Sequence, residues 1–431
     1  MFTRRTFLYG AGAAAAMLHA PKLGAQQPAG ELPPAIRALT SMRDQVRPIT
    51  AEERRGRVEK ARRLMAEQKI DALMLCSGTS LVYFTNIEWS GGERLFTCVI
   101  PAKGEPFFVC PAFEEDRARE QVALGPFAGT ADVRTWHEHE SPYERVAQGL
   151  RDRGITTGRL GIEERVDFVF SDGVAKAARG VSIVSGTPIT AGCRMIKDAH
   201  ELELMRLASN VTLKAYEAAY KSLKEGMTQN DFARLVSSAH SRMGFEGGAG
   251  VQVGEYSALP HGSITPQTVR EGTILLIDGG CNIGGYQSDL SRTFVLGKPT
   301  DKMRRVFDIE RKAQDAALAA AKPGVPCEAV DAAARKVIVD AGFGPGYKVP
   351  GLPHRTGHGM GLDGHEWTNF VKGNNTPIAV GMCFSDEPMI AIYGEFGIRL
   401  EDCLYITESG PKFFTEPSPA LDKPFAERRT T

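Results

Sequence analysis

The spacing of apolar and polar positions divides the chain into segments of different period. From Ala51 to Gln68 the pattern is charged and helical, with Val58, Ala61, Leu64 and Met65 on one stripe. Short apolar runs at Ala72–Cys76, Leu95–Ile100 and Pro106–Cys110 predict strands. Glu114–Val122 and Tyr143–Arg153 predict helices, and Arg159–Ile162 a further short strand. Helices alternating with strands predict a small α/β domain over residues 51–192. A second unit, residues 193–415, opens with Asp198 and Glu201 at capping-box spacing, which predicts a helix to Leu223, stopped by Gly226. Thr228 caps another helix to about Met243. Glycine-rich strands then occupy Gly250–Phe294, helices Asp301–Ala321 and Cys327–Ala341, and strands again Gly381–Thr407. Helix, helix, sheet therefore occurs twice, as expected of an α+β unit. Residues 26–50, with Pro28, Pro33, Pro34 and Pro48, read as an exposed linker or arm, and residues 416–431 as a C-terminal tail.

Composition narrows the function. Basic and acidic residues balance at 52 each, so no net positive field exists to hold a polyanion, which argues against a nucleic-acid binder. No run of 18 apolar residues occurs, so no stable membrane span is expected. Eight cysteines and no C-x-x-C exclude a disulfide scaffold. Residues 1–25 form a separate object: the pair Arg4-Arg5, a weakly apolar run from Phe7 to Ala20, then Lys22 and Leu23-Gly24-Ala25. This start resembles a twin-arginine export signal. The resemblance implies export by the twin-arginine machinery and a periplasmic or secreted location.

Thr273–Leu296 carries the first chemistry. Ile274–Ile277 is a buried-strand run, and Asn282-Ile283-Gly284-Gly285 is hairpin-turn chemistry. Asp278 and Asp289 lie eleven apart, and a turn centred between Ile283 and Gly284 sets them directly opposite, with Cβ atoms about 5 Å apart. Two carboxylates that close repel, and one keeps its proton unless a cation lies between them. Phe384–Ile406 repeats the arrangement: Glu387 and Glu401 lie fourteen apart about Gly394. Between the two pairs runs Pro353–Glu366, with His354, His358 and His365. Gly357, Gly359, Gly361 and Gly364 oppose a helical H-E-x-x-H zinc site there, and no G-K-[ST] marks a phosphate loop. Singly, each histidine reads as a hydrogen-bonded structural group, but three within twelve residues, in a chain with nine, point to a site. Four carboxylates and an imidazole make a hard, oxygen-rich donor set. Such a set suits two divalent ions that share carboxylates and acidify a water between them. Mn²⁺ fits the oxygen bias; Zn²⁺, Co²⁺ and Fe²⁺ are alternatives. Cys281, Cys383 and Cys403 lie nearby and are expected to be buried filler. Tyr83, Trp89 and Phe96 are expected in the core, and strand alternation points Glu366 away from its neighbour His365.

Asp278 and Asp289, His358 in GHGMGLDGHE, Glu387 in SDEP and Glu401 in IRLED resemble, in order and spacing, the five metal ligands of the pita-bread metallopeptidases. That family includes Xaa-Pro dipeptidase (prolidase), aminopeptidase P, methionine aminopeptidase and the metal-free creatinases. The likeness covers roughly residues 50–410. The junction Arg194–Arg206 (RMIKDAHELELMR) resembles the prolidase, aminopeptidase P and creatinase branch. The resemblance implies a creatinase-like N-terminal α/β domain, a pita-bread α+β catalytic domain and a homodimer. It implies that Asp278 binds one ion, that Asp289 and Glu401 bridge both, and that His358 and Glu387 hold the second. Glu387 would also shuttle the proton. His261, in LPHGS, and His365 would be catalytic and bind substrate, His354 would lie on the substrate side, and Arg399 would pin a bridging carboxylate. Met389, Ala391 and Tyr393 depart from the family's usual residues and bear on substrate preference. The activity implied is hydrolysis of the Xaa-Pro bond in dipeptides or short peptides, with a metal-bridging hydroxide as nucleophile. Aminopeptidase P-type action, or a same-fold amidase or dimethylsulfoniopropionate lyase, is the alternative. The complete ligand set disfavours a non-catalytic binding protein.

Overall fold

The computed structural model describes residues 31–425, so the paired-arginine segment lies outside the described residues. After one turn of helix, α1 (Pro34–Arg37), the charged periodic stretch forms α2 (Ala51–Gln68). A reciprocal cap between Thr50 and Glu53 opens α2, and Val58, Ala61 and Met65 are buried along one stripe. A six-stranded mixed sheet follows. It contains β1 (Ala72–Cys76), β2 (Thr97–Pro101), β3 (Phe107–Pro111), β4 (Asp132–Trp136), β5 (Gly158–Ile162) and β6 (Val181–Ser185), in the order β4-β3-β2-β1-β5-β6. Every residue of β1, β2 and β3 is buried, as in a sheet covered on both faces. The associated helices are α3 (Thr79–Thr85), α4 (Glu115–Ala123), α5 (Pro142–Asp152), α6 (Phe168–Ala177) and α7 (Thr187–Arg194). Strands β4 and β6, which the apolar runs do not announce, are the half-buried edges of the sheet. Tyr83, beneath the Arg57 guanidinium, and Phe96 are core, and half-buried Trp89 stacks on Phe96 at 4.0 Å.

The second unit begins with α8 (Ala199–Tyr220) and α9 (Gln229–Met243), opened by the capping pairs Asp198/Glu201 and Thr228/Asp231. Strands β7 (Gly247–Val253), β8 (Ile274–Ile283), β9 (Tyr286–Gln287) and β10 (Leu290–Val295) follow; the main sheet runs β10-β8-β7. Helices α10 (Asp301–Ala320) and α11 (Cys327–Asp340) precede β11 (Gly357–Gly359), β12 (Glu366–Phe370), β13 (Cys383–Asp386), β14 (Met389–Ile392), β15 (Phe396–Arg399), β16 (Asp402–Thr407) and β17 (Gly410–Phe413). These strands make a five-stranded sheet, β12-β11-β13-β16-β17, and the hairpin β14-β15. Hydrogen bonds along β10 join the halves, among them Glu401 N to Ser291 O at 3.3 Å and Arg399 N to Thr293 Oγ1 at 3.2 Å.

The two acid hairpins differ in register. In the second, Asp386 pairs with Asp402 and Met389 with Arg399, so one register runs through and Glu387 stands across from Glu401. In the first, Asp278 pairs with Ser291, not with Asp289. The turn is Gly284-Gly285, at φ 60° and 92°, one residue beyond the expected centre. A two-residue hairpin turn wants positive φ at both central positions, which β-branched Ile283 resists and glycine accepts. Asp278 and Asp289 are therefore diagonal neighbours on one face rather than direct partners.

Residues 31–45 are largely exposed, but two of their side chains anchor them to the body of the fold. Ile36 is fully buried and Met42 nearly so, in the same core as α8 and α9. Met42 N donates to Met243 O, and Arg43 Nε to Gly244 O. Prolines mark an irregular backbone; they do not forbid two apolar side chains from finding a helical surface. Part of the expected tail is also packed, with Leu421 buried and its carbonyl accepting from Val295 N. Among the described residues, no helix is long and apolar enough to cross a membrane.

Candidate metal centre

One cavity of about 450 Å³ is lined by Pro260, His261, Asp278, Asp289, His354, Arg355, His358, His365, Glu387, Arg399 and Glu401. All nine side chains singled out in the sequence thus face one space, although they span strands and loops of both halves of the second unit. Pro260 and Arg355 complete the lining. Two sets of three potential ligand atoms each lie within 4.8 Å of one another: Asp278, Asp289 and Glu401, and His358, Glu387 and Glu401. A third comprises Asp289, His358 and His365. The first two sets share Glu401, the arrangement that neighbouring cations with a common carboxylate require.

Each ligand candidate is held by local structure. His358 sits on β11 between Gly357 and Gly359. A Cβ on Gly357 would meet Ser385 O at 2.1 Å, and one on Gly359 would meet Trp367 O at 2.5 Å, so only glycine lets the flanking strands close on the histidine. His358 Nδ1 lies 3.1 Å from the Gly359 carbonyl, which leaves Nε2 facing Glu387 Oε1 at 3.2 Å and Asp289 Oδ2 at 3.7 Å. Ser385 Oγ accepts from His358 N and donates to Glu387 Oε1. From α11, Asp331 accepts from Thr356 N and Oγ1, and Arg335 donates to the Leu352 and His354 carbonyls, fixing the start of the histidine segment.

The charges conflict unless cations are present. Burial, with the neighbouring Asp278 charge, raises Asp289 to about 7. Burial and the charges of Asp289, Glu387 and Asp278 push Glu401 well above the usual carboxylate range. Glu387 goes the other way: burial alone would raise it, but the hydrogen bond and charge of His358 win and hold it at about 2. Burial likewise opposes protonation of His358, yet Glu387 and Asp289 raise it. Buried carboxylates that retain protons for want of countercharge are a donor set that divalent cations would relieve. The residues therefore fit the two ions inferred from the sequence.

Three neighbours refine the picture. Ser291, which no sequence pattern singles out, bonds through Oγ to Asp278 Oδ1 at 3.0 Å and Glu401 Oε2 at 2.6 Å. Arg399 backs the carboxylate set: its Nη2 lies 2.5 Å from Asp278 Oδ2, and its Nε donates to Ser291 Oγ, which in turn contacts Glu401 Oε2. Cys403 is fully buried outside the cavity lining, where its Sγ accepts from Asp289 N and donates to Asp289 O. Glu366 turns from His365 and pairs with Arg194 at 2.5 Å and Lys197 at 3.0 Å. Met389 and Ala391 are fully buried in the core and Tyr393 is exposed; none lines the cavity.

The sequence profile of metallopeptidase family M24 matches residues 203–408, and that of the creatinase/prolidase N-terminal domain matches residues 57–196. The Xaa-Pro dipeptidase of Lactobacillus delbrueckii subsp. lactis is 32% identical over 373 residues, covering 84% of this chain and 98% of its own. The crystal structure of dipeptidase PepE from Mycobacterium ulcerans superposes with a TM-score of 0.81 at 30% identity, covering 88% of this chain and all of its own. That of X-Pro aminopeptidase from Thermotoga maritima gives 0.69 at 26% identity, covering 83% and 97%.

Proposed function

The chain belongs to metallopeptidase family M24, with a creatinase-type N-terminal domain before a pita-bread catalytic domain, and from this we propose that it is an Xaa-Pro dipeptidase using two divalent ions, by preference Mn²⁺. The observation that carries the reading is the convergence of Asp278, Asp289, His358, Glu387 and Glu401 on one cavity, which three further histidines and two arginines also line. Asp278 would hold one ion, His358 and Glu387 the other, and Asp289 and Glu401 both. Bound there, the ions would polarise the scissile carbonyl and acidify a water between them to serve as nucleophile.

The chain's own residues supply the rest. Glu387 takes the proton of the attacking water and passes it to the leaving nitrogen, so one C–O bond forms as the C–N bond breaks. His261 and His365 donate toward the developing oxyanion, and His354 borders the substrate. Proline's nitrogen bears no hydrogen, so recognition relies on ring shape and carbonyl contacts rather than a backbone N–H. The core burial of Met389 and Ala391 favours peptidase chemistry over a same-fold lyase or amidase, because these departures do not reshape the cavity. Aminopeptidase action is the second reading, supported by the likeness to the Thermotoga enzyme. We further propose export by the twin-arginine route to the periplasm or beyond, on the strength of Arg4-Arg5 and the segment after them, and a homodimeric assembly.

The test is a peptide-length panel. Metal-loaded protein should release proline from Ala-Pro faster than it trims alanine from Ala-Pro-Gly. The reverse order would assign aminopeptidase action, and no cleavage of either would defeat the peptidase proposal.

A further inference from the structure

His365 has two competing uses. One of its ring nitrogens lies within 4.8 Å of ligand atoms of Asp289 and His358, so the ring could serve as an additional metal ligand or as a hydrogen-bond donor to substrate. The difference is the placement of a single proton on the imidazole.

Arg355 Nη2 lies 3.0 Å from His365 Nδ1. A guanidinium has five N–H donors, no acceptor and a permanent charge, so Nδ1 can only accept. With Nδ1 bare, the proton of the neutral ring sits on Nε2, and a protonated nitrogen has no lone pair for a metal. We propose that Arg355 is a positioning residue that locks His365 as the Nε2–H tautomer, withholding it from metal coordination and presenting a donor to substrate oxygen.

Contrast with His358 strengthens the case. The two rings lie with centroids 3.9 Å apart, tilted by 41°, but behind His358 Nδ1 stands the Gly359 carbonyl, which can only accept. A carbonyl behind one ring and a guanidinium behind the other select opposite tautomers. One ring then offers a lone pair and the other a proton. Arg355 is itself well placed to act in this way. Asp331 and Arg335 anchor the residues on either side of it, and among the described residues it forms no ion pair with a carboxylate. The tautomer assignment stands on the hydrogen bond alone; only the identity of the oxygen it serves rests on the proposed peptidase function.

The test uses ¹⁵N-histidine-labelled protein loaded with diamagnetic Zn²⁺, with His365→Gln to identify the signals. Long-range ¹H–¹⁵N correlation should show a bare Nδ1 and a protonated Nε2 for His365. Arg355→Met should move both nitrogens toward the averaged position of mixed tautomers, while Arg355→Lys, also a pure donor, should preserve the wild-type pattern. On Ala-Pro, Arg355→Met should lose about 10–100-fold in kcat with a smaller change in KM, and the lysine variant should recover most of it. A protonated Nδ1 in the wild type, or an unchanged tautomer in Arg355→Met, would overturn the inference. If Arg355→Met does not fold, the wild-type spectrum alone decides. The predicted tautomer in a protein that cleaves no Xaa-Pro bond would support this inference while refuting the proposed function.

Discussion

Ser291 stands directly across the strand pair from Asp278, and its hydroxyl contacts both Asp278 Oδ1 and the Glu401 carboxylate. One hydroxyl thus ties an acid of the first hairpin to an acid of the second, while Arg399 Nε donates into the same oxygen. Ser291→Ala removes this tie without adding bulk. Metal affinity, measured by competition with a chelator, should fall about 10–100-fold with the fold retained. Unchanged affinity would make the hydroxyl a bystander.

Metal binding should also depend on pH with a defined sign. Asp289, raised to about 7 by burial and Asp278, is protonated below that value in the metal-free protein, and Glu401 is pushed up by the same kind of crowding. An incoming ion must displace those protons. Affinity should therefore weaken by about tenfold per pH unit, for each proton displaced, as pH falls below about 7. Calorimetric titrations in buffers of different ionisation heat would detect the released protons. Affinity independent of pH, with no proton release, would contradict the electrostatic picture.

Glu366 makes a structural prediction. Burial would raise its pKa, but Lys197 and Arg194 prevail and hold it at about 2, below the ordinary glutamate value of 4.5. A depressed pKa means that the stabilisation is present above about 4.5 and is lost as pH falls toward 2. Glu366→Gln leaves buried Lys197 without its anion and Arg194 with Asp363 alone, and should cost about 3–5 kcal/mol in denaturant unfolding at neutral pH. The gap between wild type and variant should close as pH is lowered through that window. A variant as stable as the wild type would show the pair to be dispensable.

Ile36→Ala tests whether the residues before α2 belong to the folded unit. The side chain is fully buried, so its truncation should destabilise by about 2–5 kcal/mol. A change near zero in the same unfolding assay would return this stretch to the status of a loose arm.

The legible parts of this chain are those governed by local rules. The capping pair Asp198/Glu201 and the cap Thr228 announce α8 and α9 because a cap is a bond between residues close in sequence. The register about Gly394 follows from symmetric spacing around one turn glycine. The first hairpin is displaced because two candidate turns overlap, and only the backbone preference of Ile283 against Gly285 distinguishes them. Ser291 and Arg355 escape notice for another reason. Serine and arginine are ordinary surface residues, and their importance comes from what the fold sets opposite them. The same holds for Ile36, whose burial is decided by α8 and α9 more than 150 residues away in sequence.

Counting the ions bound to metal-depleted protein after saturation with Mn²⁺ tests the central assignment most directly. Two ions per chain should bind in the wild type, and Asp289→Asn, which removes a shared carboxylate, should retain neither at full affinity and lose nearly all turnover. A wild-type protein that binds no ions, or an Asp289→Asn variant that still holds two as tightly, would contradict it.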